Sequence, residues 1–180
     1  GVGEFSPKSQ PLTPYALPSK PTITGIAPQD GALSVTFDPP ATGAPPTGYQ
    51  YRVDGGSWVP VAGTGQPIVI PGLTNGVAVD IELRATSAMG TGAISDPASG
   101  TPRATPGAPT IVGTTAGIGV GTVSFVPGFD GGSPITGYEY RLDGGAWQPL
   151  ASGVSPLELT GLGNGTSTAV RIRALNAAGA

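Results

Sequence analysis

The amino-acid sequence predicts an all-β protein made of two tandem, two-sheet antiparallel sandwiches. Three observations carry that prediction: one stretch recurs at long spacing, apolar residues alternate with period two over short runs, and Gly and Pro punctuate those runs. Gly48-Tyr49-Gln50-Tyr51-Arg52-Val53-Asp54-Gly55-Gly56-Ser57-Trp58-Val59-Pro60 returns as Gly137-Tyr138-Glu139-Tyr140-Arg141-Leu142-Asp143-Gly144-Gly145-Ala146-Trp147-Gln148-Pro149, an offset of 89. Gly72-Leu73-Thr74-Asn75-Gly76 and Leu83-Arg84-Ala85 recur at the same offset as Gly161-Leu162-Gly163-Asn164-Gly165 and Ile172-Arg173-Ala174. Ser34–Pro39 recurs as Thr122–Pro127 at an offset of 88, which implies one inserted residue in the intervening loop. So long a period marks two copies of a domain rather than a short-repeat solenoid.

Composition narrows the function. Gly contributes 31 and Pro 21 of the 180 residues, a share that suits many turns, yet 38% apolar residues and a net charge of −3 oppose a chain disordered throughout. The absence of Cys and His removes disulfides, thiolate and imidazole ligands, and every Ser-His or Cys-His nucleophile pair; no cofactor or metal is expected and the chain reads as non-enzymatic. Eight Lys and Arg, without a basic run, give no electrostatic footprint for nucleic acid or an anionic membrane. With no run of 18 apolar residues and no charged-then-apolar start, neither membrane insertion nor a signal peptide is expected.

Taken in order, residues 1–20 carry Pro7, Pro11, Pro14 and Pro18 and predict an extended, polyproline-like arm. Residues 21–102 form the first copy, with strands expected near 22–26, 32–37, 48–53, 57–61, 67–70, 77–85 and 93–100. Leu33, Val35 and Phe37 share one face, as do Val77, Val79, Ile81 and Leu83, while Asp80, Glu82 and Arg84 take the other. Asp54-Gly55 and Asp143-Gly144 suit the positive φ of a tight hairpin turn. Residues 103–108 form a linker in which prolines limit bending and Gly107 permits some. The second copy, 109–180, is expected to lack its last strand; truncation of a longer chain, or a strand donated by another segment, accounts for that. Two such sandwiches in line predict a rod on the order of 70 Å.

These residues resemble the fibronectin type III family, whose sandwich is immunoglobulin-like. The marks are Pro21-Thr22-Ile23 and Pro109-Thr110-Ile111 at the start, Phe37-Asp38-Pro39 and Phe125-Val126-Pro127 closing the second strand, Thr47-Gly48-Tyr49 and Thr136-Gly137-Tyr138 opening the third, the Gly-Leu-x-Asn-Gly turn, and Arg173-Ala174-Leu175-Asn176-Ala177-Ala178-Gly179. The resemblance covers about 21–180. It departs in three places. Phe37 and Phe125 replace the usual Trp of the second strand but still fill a core slot. Val79 and Thr168 replace the tyrosine of the E–F corner, which is expected to loosen it. No Arg-Gly-Asp occurs, so integrin-type adhesion is not implied.

The candidate partner or glycan surface is aromatic: Tyr51, Trp58, Tyr140 and Trp147, with Tyr51 expected to pair across strands with Trp58 and Tyr140 with Trp147. Packing within each sheet explains the same residues. Met89, in the loop Thr86–Gly92 where the family carries a known ligand-binding loop, is a further candidate. Arg52, Arg141, Arg84, Arg171 and Arg173 read as a solvated sheet face that an acidic neighbour could dock on. Asp54 and Asp143 are explained by turn chemistry rather than by acid–base catalysis, and Asp130-Gly131-Gly132-Ser133 is too poor in carboxylates for calcium. Asn164-Gly165-Thr166 matches a glycosylation acceptor and also suits a tight turn.

The expected function is a structural spacer or interaction array of a bacterial extracellular or cell-surface protein, partnered by protein and by surface glycans. Six Arg against two Lys, with abundant Gly, Ala and Pro, fit a GC-rich bacterial genome. The alternatives are a tailed-phage virion component on the virion exterior and a carbohydrate- or protein-binding module beside a secreted enzyme.

Overall fold

Fourteen strands and no helix are seen among the residues described in the computed structural model, which are 1–4, 6–8, 14–61, 63–150 and 153–180. Pro11 of the predicted arm lies outside them. Proximity divides the chain into two compact units, one of Gly1–Gly25, Val35–Ile68 and Asp80–Ala98, the other of Ile26–Ser34, Val69–Val79 and Ser99–Ala180.

The first copy contributes β1 (Thr22–Gln29), β2 (Ala32–Asp38), β3 (Gly48–Val53), β4 (Val59–Val61), β5 (Ile68–Pro71), β6 (Val79–Ser87), β7 (Gly90–Ile94) and β8 (Ala98–Gly100). They assemble as a three-stranded sheet in the order β1-β2-β5 and a sheet in the order β4-β3-β6-β7, with β8 also pairing β6. Alternation decides what each sheet buries: Leu33, Val35 and Phe37 from β2, Ile68 and Ile70 from β5, and Val79, Ile81, Leu83 and Ala85 from β6 all turn inward. Phe37 meets Tyr49 of β3 edge-on, with ring centroids 4.6 Å apart, so the two sheets close on an aromatic pair. Burial there pushes the Tyr49 hydroxyl above its ordinary pKa. Val77, expected to share this inward face, precedes β6 and is exposed, because the strand begins only at Val79.

The strand expected over 93–100 is broken into β7 and β8. Pro97 has no N–H to give a ladder, and Ser95 takes over at the interruption: its N–H donates to the Leu83 carbonyl (2.8 Å) and its buried Oγ accepts from the Leu83 N–H (2.9 Å). The segment Thr86–Gly92, expected as a loop, is a tight hairpin instead. Ser87 pairs with Gly90, so only Ala88 and Met89 turn the corner.

The end of the N-terminal arm is fastened to the sandwich rather than free. Ala44 N–H donates to the Ala16 carbonyl (2.8 Å), Ser19 N–H to Thr42 (2.9 Å) and Ala93 N–H to Pro18 (3.0 Å). Pro18 and Pro21 are fully buried. The approach is so close that a Cβ on Gly43, whose φ is +93°, would lie 2.2 Å from the Leu17 carbonyl oxygen, which only glycine avoids.

The second copy contributes β9 (Thr110–Ala116), β10 (Val120–Val126), β11 (Gly137–Leu142), β12 (Gln148–Pro149), β13 (Leu157–Thr160) and β14 (Val170–Leu175), in the sheets β13-β10-β9 and β12-β11-β14. Val123, Phe125, Tyr138, Leu150, Leu157, Leu159, Ile172 and Ala174 form its core, and Phe125 meets Tyr138 edge-on at 4.9 Å. This core is thinner. Gly121 stands where the first copy has Leu33 and Thr114 where it has Ile26, and all of β9 is exposed whereas β1 is partly covered. Within this unit the chain before β9 is held down: Ala104 N–H donates to Gly131 (2.9 Å), Gly107 N–H to Phe129 (2.7 Å), and the Asn176 amide donates to the carbonyls of Ala104 and Asp130.

Candidate functional site

The Asp-Gly hairpins place the chemistry-bearing residues of each copy. Asp54 and Gly55 have φ of 50° and 69°, and Asp143 and Gly144 49° and 77°, the left-handed pair that a tight turn requires. Asp54 is then held at both ends: its N–H donates to the Asp80 carbonyl (2.9 Å) and its Oδ1 accepts from the Asp80 N–H (2.8 Å). Asp143 does the same with Ala169, at 2.9 and 2.8 Å. The carboxylates therefore clamp the hairpin to β6 in the first copy and to the residue just before β14 in the second, which goes further than the turn chemistry read from the sequence.

The turn also returns Trp58 over the outer face of β3 and β6. The strand expected over 57–61 begins only at Val59, so Trp58 belongs to the loop and folds onto the arginines. Its ring lies under the guanidinium carbons of Arg84 (4.1 Å to centroid) and Arg52 (4.8 Å). The expected pairing of Tyr51 with Trp58 is thereby corrected: Tyr51 points to the face opposite Arg52, where its cross-strand neighbours are Val59 and Leu83. Arg52 grips Glu82 directly across the ladder, Nε to Oε2 at 2.6 Å and Nη2 to Oε1 at 3.1 Å. Those bonds hold the Glu82 carboxyl below its ordinary pKa and raise that of Arg52. Arg84 Nε donates to Gln50 Oε1 at 2.8 Å, so each rung of the face is matched.

The second copy rebuilds this ladder with the carboxylate moved one rung. Trp147 lies under Arg173 (4.3 Å) and Arg141 (4.7 Å). Glu139, in the place of Gln50, accepts from Arg173 Nε at 2.7 Å. Arg171, in the place of Glu82, stands opposite Arg141. Arg141 Nε is buried without a hydrogen-bond partner. Tyr140 again leaves the Trp face: it packs against the core, and its hydroxyl donates to Gln148 Oε1 at 3.1 Å. Tyr140 and Trp147 thus do not form the expected pair.

The remaining candidates are dispersed. Met89 is half exposed at the β6–β7 corner, its N–H donating to Ser87 Oγ. Asp130 Oδ1 accepts from Gly132 N–H, closing its own loop. Asn164 Oδ1 accepts from the Gly119 N–H at 2.8 Å, as Asn75 Oδ1 does from Gly31 at 2.9 Å, so the Asn of the Gly-Leu-x-Asn-Gly turn ties the β13–β14 and β5–β6 corners to the preceding hairpins. That tie and the Asp54 and Asp143 clamps meet the chain beside Val79 and Thr168, where the corner tyrosine is missing. Sequence reasoning missed one further recurrence: the Phe37 N–H is met by Gln66 Oε1 and the Phe125 N–H by Ser155 Oγ, both at 2.9 Å. Among the described residues, no group of three or more carboxylates gathers to hold a metal ion, and no helix is long and apolar enough to cross a membrane.

No family model and no curated protein matches the chain. Among solved structures, the chicken CNTN1 FN1-FN3 domains are similar at 15% identity, with a TM-score of 0.41, over 90% of this chain. The chain spans 62% of the length of that structure.

Proposed function

We propose that this chain is a non-enzymatic spacer and interaction array of a bacterial extracellular or cell-surface protein, built from two copies of one fibronectin type III-like sandwich, 21–102 and 109–180, joined by residues 103–108. One observation carries the reading: the same Asp, Asn and Trp positions recur in both copies and hold the fold in both. Asp54 and Asp143 clamp the hairpin, Asn75 and Asn164 clamp the corner, and Trp58 and Trp147 lie under paired arginines. With Oδ1 accepting from a backbone N–H in both copies, Asp54 and Asp143 serve the turn rather than acid–base chemistry. Fastening of residues 16–19 and 104–107 suits a segment that passes position along a longer chain.

The experiment is replacement. In the parent protein, residues 16–180 are exchanged for an unrelated pair of β-sandwich domains of similar length, and assembly or surface display is measured. A spacer predicts retained function; loss of function with intact expression places specific recognition in these residues. Sequencing the flanking gene distinguishes a cell-surface setting from a virion one. Glycan recognition through the Trp residues is the weaker reading, because both rings are already engaged by guanidinium groups.

A further inference from the structure

The two outer sheet faces differ at one rung, and that difference points to a partner. In the first copy Arg52 faces Glu82 and Arg84 faces Gln50; in the second Arg141 faces Arg171 and Arg173 faces Glu139. Two like charges directly opposite on a ladder repel, and the guanidinium of Arg141 keeps a buried Nε with no acceptor. The first copy shows what this frame accepts at that place: a carboxylate, held by two guanidinium nitrogens.

We infer that the β11–β14 face of the second copy docks the Asp or Glu side chain of an acidic protein segment, its carboxylate seated between Arg141 and Arg171 as the Glu82 carboxylate is seated against Arg52. Arg171 is exposed and supplies the outward donors; Trp147 backs Arg141 from below. A single carboxylate suits the site better than a polyanion. The basic patch holds three arginines with Glu139 beside them, and the chain as a whole is negative, so a run of phosphates or sulfates meets repulsion beyond the first contact. This inference deepens the interaction side of the proposed function. The two readings fail separately: a face that binds no Glu peptide leaves the spacer reading intact, whereas function lost on domain exchange overturns the spacer reading and leaves the peptide titration to decide this face.

The test uses the full chain carrying Trp58→Phe, so that fluorescence reports Trp147 alone. A short Glu-rich peptide is titrated at low salt, with the matching Gln-rich peptide and a heparin hexasaccharide as comparisons. The expected result is a saturable change with the Glu peptide only, weakened about tenfold by Arg171→Glu, which restores the pairing of the first copy. If that variant does not fold, Arg171→Gln is expected to weaken binding in the same direction. A response that is absent, that survives both substitutions, or that comes from heparin but not from the peptide overturns the inference.

Discussion

Asp54 and Asp143 illustrate how a single residue serves the fold in three ways: it accepts a positive φ, it opens the Asp-Gly turn, and its carboxylate accepts from a backbone N–H 26 residues further along. The turn was legible in the Asp-Gly pair. The clamp was not, because its partners, Asp80 and Ala169, share no residue type and offer only main chain. Asp54→Ala removes the acceptor and strains the backbone, and is expected to cost about 2 kcal/mol, whereas Asp54→Asn keeps both features and stays near the parent in thermal melting. The Arg52–Glu82 pair carries a pH signature. Because folding lowers the Glu82 pKa below its ordinary 4.5, its contribution is complete above that value and is lost as pH falls through the lowered one. Glu82→Gln is therefore expected to melt earlier than the parent at neutral pH, with the gap closing in acid; a gap that persists at the lowest pH would contradict the assignment.

For the strands, period two was a reliable guide wherever one face is buried. Leu33, Val35, Phe37, Ile81 and Leu83 all fall inward as expected. It failed at ends and corners, where backbone partners rather than side-chain pattern set the limits. Trp58 was read inside a strand over 57–61, yet that strand begins at Val59 and the Trp58 ring lies under two guanidinium groups. That error carried the expected Tyr51–Trp58 pairing with it. The break between β7 and β8 was likewise hidden, since Ser95 reads as an ordinary polar residue until its hydroxyl is seen meeting Leu83 N–H. Ser95→Ala leaves that buried N–H without an acceptor and is expected to cost about 2 kcal/mol. Urea unfolding checks it: the midpoint should fall with an unchanged slope.

At the scale of the whole molecule, the duplication was readable from identity at an offset of 89, and it determined most of what followed. What each copy contributes differs in ways the repeat conceals. Gly121 for Leu33 and Thr114 for Ile26 thin the second core, and Arg171 for Glu82 unbalances its outer face. Centrally, we propose that the two sequence copies, 21–102 and 109–180, fold as separate units. Thermal melting followed by fluorescence tests it most directly, with Trp147→Phe reporting the first copy through Trp58 and Trp58→Phe the second through Trp147. Two transitions that do not coincide, the Trp147 signal melting first, are predicted; one shared transition in both variants would contradict the account.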